Sequence, residues 1–331
     1  MNALAEGTLP LRQTLGRACG VFPFSAAEAL CTLGVLGLLA WLGWTVVSVV
    51  RRRPRWETLL RRLSLLLTLA LVLYLLLCLL LGASYRARSF QDRSGLRPEL
   101  ESPETLAAAT ALFARRLRDT AGTVPRGEDG TFAAPLDGVF REATSLYRGA
   151  EGIFPFLALE DTAPKRAFYS RLMSWFNYTG FYFPYTGEAT VNVDQPPALI
   201  PATIAHEMAH QRGVSSEQEA NFLAVLACTE SGLPSYVYSG WLFGFIHLGS
   251  ALYSLDPEAY YAAAEVLPDT VWADIRQNNE YWARFETKGA EVSEKVYDSM
   301  LKSYGHSMGV RSYGAVVDLL LAWYKAGGFG E

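Results

Sequence analysis

Cysteine is scarce in this 331-residue chain: Cys19, Cys31 and Cys78 precede residue 98 and Cys228 stands alone after it. A disulfide framework and a cysteine-rich zinc site are thereby excluded from the larger part of the chain, and Cys228 reads as a small buried hydrophobe on a helix. Lysine is missing altogether before Pro98, where 12 Arg face 4 acidic residues; from Pro98 onward 17 basic residues face 29 acidic ones. The net charge of −4 therefore averages a basic apolar piece and an acidic soluble one. Nucleic acid is excluded as a partner, because the basic charge lies beside hydrophobic runs and the large acidic part repels phosphate. Internal repeats and low-complexity tracts are absent, which leaves out solenoids and linker-like arrays.

Charge itself is absent from residues 29–50 and 63–85, each long enough to cross a bilayer core as a helix. We read two membrane spans at about 26–50 and 63–85, with the lipid bilayer as a partner. An N-terminal signal peptide is disfavoured by Glu6, Pro10 and Pro23 and by the late start of the apolar run. Between the spans, loop 51–62 holds Arg51, Arg52, Arg53, Arg55, Arg61 and Arg62, which marks it as cytoplasmic by the positive-inside rule. Arg12 and Arg17, and Arg86, Arg88, Arg93 and Arg97, are more dilute on the outer flanks. Residues 1–97 then form a membrane anchor and 98–331 an extracytoplasmic domain, joined by a linker over 86–101. A third uncharged stretch, 236–253, is aromatic, glycine-rich and interrupted by His247, as suits a core or interfacial helix better than a lipid-facing one.

The expected fold class of the domain is mainly α (α+β). Ser102, Pro103 and Glu104 are a capping residue, a first-turn proline and a first-turn acid, so a helix starts there and runs to Gly122. Apolar periodicity predicts further helices over 136–148, 164–177, 201–212, 217–231, 257–266, 270–285, 290–304 and 312–325. Only 181–193, aromatic and β-branched around Thr186 and Gly187, reads as extended, a short hairpin. Its strand over 188–193 is either internal or a cleft edge able to pair with an extended peptide.

One motif carries chemistry. His206-Glu207-Met208-Ala209-His210 has the form HExxH on a segment opened by Pro201. Imidazoles at i and i+4 share one helical face and can reach one zinc ion, with Glu207 beside the water that the ion would hold. Gly213 can end the helix and turn the chain back. Ser216 and Glu219 then have the spacing of a capping box, which leaves Glu217 at the first helical position. We favour Glu217 as the third ligand, with Glu219 as the alternative and Glu230, His247 and His306 behind it. Asn221, one turn after Glu217, either orients a ligand or is a solvated polar residue.

HExxH followed by Glu217-x-x-Ala220-Asn221 resembles the gluzincin metallopeptidases, in which the first Glu of the downstream Glu-x-x-Ala-Asp/Asn binds zinc. The stretch YFPYTGEATVNVDQPPALIPATIAHEMAHQRG with EQEANFLA is also similar, over nearly the full chain, to an uncharacterised bacterial membrane family with two N-terminal spans and a zincin-like domain. The resemblance implies a membrane-anchored zinc metallopeptidase acting on a peptide or protein substrate. His206, His210 and Glu217 would then be metal ligands and Glu207 the general base, with an oxyanion donor among Tyr182, Tyr185, His306, Arg311 and Tyr313. The competing reading is a non-catalytic zinc-binding membrane sensor or assembly protein; an intramembrane protease ranks last, since the motif lies far beyond the second apolar run. The topology has a direct check. A cysteine introduced at Glu57 should resist an impermeant thiol reagent in intact cells, and labelling there would overturn the cytoplasmic assignment of the loop.

Overall fold

The computed structural model describes residues 2–52, 56–82, 85, 87–99, 101–286 and 316–330. It is mainly α-helical with one small sheet. Helix α1 (Asn2–Gly20) precedes α2 (Ala26–Arg52) and α3 (Trp56–Leu77), whose end widens into a π-helical turn, Cys78–Gly82. Two helical stretches, Ala26–Arg51 and Trp56–Gly82, are long and apolar enough to cross a membrane. Almost none of their side chains is buried within the protein; Leu33 and Leu65 are each about two-thirds exposed. Leucine surface of that kind is stable only against another apolar medium. The second helix starts earlier than expected, because Arg61 and Arg62 extend it as good helix formers.

The globular part is built on α5 (Pro103–Thr120), α9 (Ile200–Gln211), α10 (Glu217–Thr229), α11 (Pro234–Leu255) and α14 (Val316–Lys325). Ser102 caps α5 through its side chain as its sequence predicts. Further helices lie around them: α4 (Phe90–Ser94), α6 (Leu136–Glu142), α7 (Arg148–Ile153), α8 (Ser170–Trp175), α12 (Pro257–Ala264) and α13 (Asp269–Ala283). Helix α11 is a core helix: Tyr236, Tyr238, Trp241, Leu242, Phe245 and Leu248 are all buried in the protein, which disposes of a third span at 236–253. It lies close to α5 because Gly244 faces Phe113, where a Cβ would come within 2.2 Å of the ring.

Three strands complete the fold. β1 (Lys165–Arg166), β2 (Gly180–Phe183) and β3 (Glu188–Val191) form a sheet in the order β1-β3-β2, with β2 antiparallel and β1 parallel to β3. The predicted hairpin is present. Of the two readings of the strand over 188–193, the internal one holds: β3 pairs with β2 along Glu188–Val191 and with β1 at Thr190 and Val191, so it is not a cleft edge. One expectation is corrected here. The helix expected over 164–177 shrinks to α8, because Lys165 and Arg166 pair with Thr190 and Val191 instead, a contact between distant residues that periodicity cannot reveal.

The division at residue 98 is also crossed by packing. Phe90 is buried in the core cluster, so the expected linker is partly core. Helix α1 rests on the β2–β3 turn, where Gly187 adopts φ +67° and would place a Cβ 2.2 Å from the Arg12 carbonyl oxygen; only glycine tolerates both conditions. The predicted helix over 290–304 lies outside the described residues. Replacement of Gly244 by Ala should overpack the α5/α11 contact and cost about 1–3 kcal/mol of stability, read as a lowered denaturation midpoint of the full chain in detergent.

Candidate metal centre

Helix α9 forms because Pro201 sits in its first turn and Ile200, Ala202, Ile204, Ala205, Met208 and Ala209 bury a continuous apolar side. The opposite face carries His206 and His210. Gly213, at φ +81°, ends the helix, with its N–H on the His210 carbonyl and that of Val214 on the Ala209 carbonyl. This reversal does two things: it brings Glu217 at the start of α10 back to the histidines, and it aims the Val214 carbonyl at His210.

The two Nε2 atoms stand 3.1 Å apart. Glu217 completes the cluster, with one oxygen 3.2 Å from His206 Nε2 and the other 3.7 Å from His210 Nε2; the three side chains form a group able to hold a metal ion. Nδ1 of His210 is 2.7 Å from the Val214 carbonyl oxygen. A carbonyl only accepts, so that nitrogen carries the proton and Nε2 is bare. Nδ1 of His206 is 2.7 Å from Oδ1 of Asn221, which gives it the same tautomer. Both Nε2 atoms and the Glu217 carboxylate thus converge on one point, where a positive charge, a proton on His206 or a cation, relieves the repulsion among them. The protonation balance shows this demand. Burial alone would depress His206, but the hydrogen bond and charge of Glu217 outweigh it and push it up to about 9. Burial, with the positive charge of His206, holds His210 below the ordinary imidazole range against the pull of Glu217.

Glu207 points to the same side of the site and is buried, 4% exposed. Its carboxylate lies against β2, where a Cβ on Gly180 would come within 2.6 Å of Oε1. Burial pushes it up to about 8; His206 pulls it down and Glu217 adds to the rise.

Glu219 is not at this centre. Its oxygens accept from the backbone N–H groups of Phe90 (3.0 Å) and Gln91 (3.1 Å), at the start of α4. The expected capping box is therefore absent, since Ser216 makes no side-chain cap bond and Glu219 caps a different helix. Glu230 sits at the far end of α10, against Gly149, roughly 20 Å along the helix from Glu217 by its rise. His247 is half-buried, and its covered Nε2 has no hydrogen-bond partner among the described residues; desolvation, and less strongly the charge of His206, depress it to about 4. Of the oxyanion candidates, Tyr185 donates to the Leu73 carbonyl in α3 and Tyr182 lies beneath the Arg12 guanidinium. His306, Arg311 and Tyr313 lie outside the described residues.

Two arginines escaped the sequence reading. Arg12, in α1, is 2% exposed with an unpartnered Nε, and its charge contributes to depressing His210. In sequence it is one more Arg near a span. Arg212 is buried between Glu151 (3.0 Å) and Asp161 (2.6 Å) and stacks 3.7 Å from the centroid of Tyr147, whose hydroxyl donates to the Ala205 carbonyl. That arrangement pins the back of α9.

Glu207 and His206 both titrate above their unfolded values, 4.5 and 6.5. The stability tied to their protonated forms is complete below those values and is lost as pH rises through about 8 and about 9 respectively. In the presence of a chelator, the unfolding midpoint of the full chain should therefore fall as pH rises across this range. Glu207→Gln should remove the lower part of that fall.

Comparison with known proteins gives one match. No curated protein and no solved structure matches the chain. A family model described as "Protein of unknown function (DUF3810)" matches residues 9–321, which takes in the later part of α1, both apolar helices, the sheet and the His–His–Glu cluster. The chain belongs to the DUF3810 family.

Proposed function

We propose that this protein is a zinc metallopeptidase anchored by α2 and α3, with its globular part outside the cytoplasm. The observation that carries the reading is the donor triad. Tetrahedral zinc with ligands at about 2.0–2.1 Å sets neighbouring donors roughly 3.3 Å apart. The His206 and His210 Nε2 atoms are 3.1 Å apart and one Glu217 oxygen is 3.2 Å from His206 Nε2, both close to that length, while the other Glu217 oxygen is 3.7 Å from His210 Nε2. Both imidazoles turn Nε2 toward the cluster while Asn221 and Val214 hold the other nitrogen, the usual support for a metal-binding histidine. Two imidazoles with one carboxylate are also the donor set of hydrolytic zinc.

Zinc held there supplies a Lewis acid that acidifies a water and polarises a peptide carbonyl. The chain's own work falls to Glu207. Its carboxylate, one residue after His206 and lifted above the ordinary range by burial, takes the proton of the attacking water and passes it to the leaving amine. Gly180 leaves room for that carboxylate beneath β2. β2 is an edge strand with no strand partner on its outer side among the described residues, the side to which an extended peptide would add. Buried Arg12 and half-buried Tyr182, which lie against each other, offer donors there.

The topology has its own support. The start of α2 and the second half of α3 both bond to the globular part, through Glu188 and Tyr185, which leaves the Arg-rich connection at the far end of the helical pair. That arrangement suits the positive-inside rule.

Metal analysis and peptide-library cleavage by the purified full chain test the reading. Wild type should hold one zinc and cleave; Glu207→Gln should keep zinc and lose about 10²–10⁴-fold in kcat. Glu217→Ala should lose zinc and Glu219→Ala should keep it. Undiminished cleavage by Glu207→Gln would overturn the mechanism, and zinc-loaded wild type without any turnover would replace the peptidase by a zinc-binding sensor.

A further inference from the structure

We propose that the underside of the globular part is a membrane-interface surface, with 21–24 and 168–176 inserted among the lipid headgroups and upper acyl chains around the start of α2. The inference rests on reading α2 and α3 as membrane spans. Three independent contacts set the level of this surface along α2. The Glu28 carboxylate accepts from the backbone N–H groups of Phe168 (2.8 Å) and Tyr169 (2.9 Å). The Tyr169 hydroxyl meets Oγ1 of Thr32 at 3.0 Å. Lys165 donates to the carbonyls of Gly20 and Phe22. Thr32 lies six residues beyond the first residue of α2, about 9 Å along its axis by helical rise, and inside the uncharged run that begins at Ala29. The loop before α8 is therefore held beside the first two turns of a lipid-facing helix.

The side chains at that level are apolar and uncovered. Phe168 is 84% exposed, Val21 77% and Trp175 55%, and Phe22, Phe24 and Leu172 are each about half exposed. A patch of this composition on a globular surface needs a partner. Continuity with the exposed leucines of α2 identifies the partner as the same bilayer, and Trp with flanking aromatics is the composition of the interfacial belt. Arg171, the charged residue within these two segments, is neutralised by Asp194 at 3.1 Å. A second contact agrees: the β2–β3 turn reaches α3, where Tyr185 donates to the Leu73 carbonyl at 2.6 Å. Gly180, at the other end of β2, touches Glu207, so the candidate centre stands about one strand length, roughly 13 Å, from that turn. A substrate must then approach at the bilayer surface, which selects polypeptide segments close to a membrane.

Photo-crosslinking of the full chain in lipid nanodiscs tests this. p-Benzoylphenylalanine replaces, one at a time, Phe168, Trp175, Leu65 in α3 and Tyr261 in α12, all well exposed. Lipid adducts are read by mass, and thermal unfolding checks each variant. Positions 168 and 175 should give lipid adducts comparable to Leu65 and at least about tenfold above Tyr261, the level expected of interfacial residues. Adducts at Leu65 but none at 168 or 175 would overturn the interface while leaving the spans intact. No adduct at Leu65 would overturn the spans and the proposal with them, and crosslinks from 168 or 175 to a second copy of the chain would replace the bilayer by a protein partner.

Discussion

Helix α10 has no face for water. Every side chain from Ala220 to Cys228 is buried, so α9, α11 and α14 must close around it, and the rest of the globular part follows from that enclosure. Its polar residues crowd into the first two turns, where Glu217, Glu219 and Asn221 are also buried. Groups of that kind are costly to leave unpaired. Glu217 meets the two histidines, Glu219 takes two backbone N–H groups, and Asn221 holds His206 through Oδ1 while its buried Nδ2 has no partner among the described residues. The candidate metal centre is where the first turns of a fully buried helix gather its polar groups.

Carboxylates tie the fold together elsewhere by the same means. Glu188 accepts from Ala26 and Ala27 at the start of α2, Glu28 from Phe168 and Tyr169, and Glu219 from Phe90 and Gln91. Each pair joins segments more than 120 residues apart in the chain. Charged acceptors on backbone donors are among the stronger hydrogen bonds, and those at the starts of α2 and α4 also complement the helix dipole. Apolar hairpin, sheet and helical core consequently form one body, rather than a domain swinging on a tether.

This explains which features were legible in the sequence. Ser102 and Pro103 announce α5, the HExxH spacing places two imidazoles on one face of α9, and Thr186-Gly187 marks the hairpin turn, because capping, periodicity and turn chemistry act within a few residues. Glu219 illustrates the opposite case. Its spacing from Ser216 has a complete local explanation as a capping box, yet the stronger competitor is a pair of N–H groups near residue 90, which no local pattern announces. Lys165 and Arg166 likewise leave a helical pattern for a parallel pairing with β3.

The amino-acid sequence alone determined the two apolar helices, the helical class with one small sheet, and the grouping of His206, Glu207 and His210, since run length, composition and the 3.6-residue period are properties of neighbouring residues. Tertiary structure decided what brings Glu217 to them and sends Glu219 away, how Arg12 comes to lie beside His210, and that β3 is central while β2 is the open edge. Those outcomes depend on contacts between distant segments, whose strength comes from shared burial and from hydrogen bonds that exist only once the chain has closed on itself.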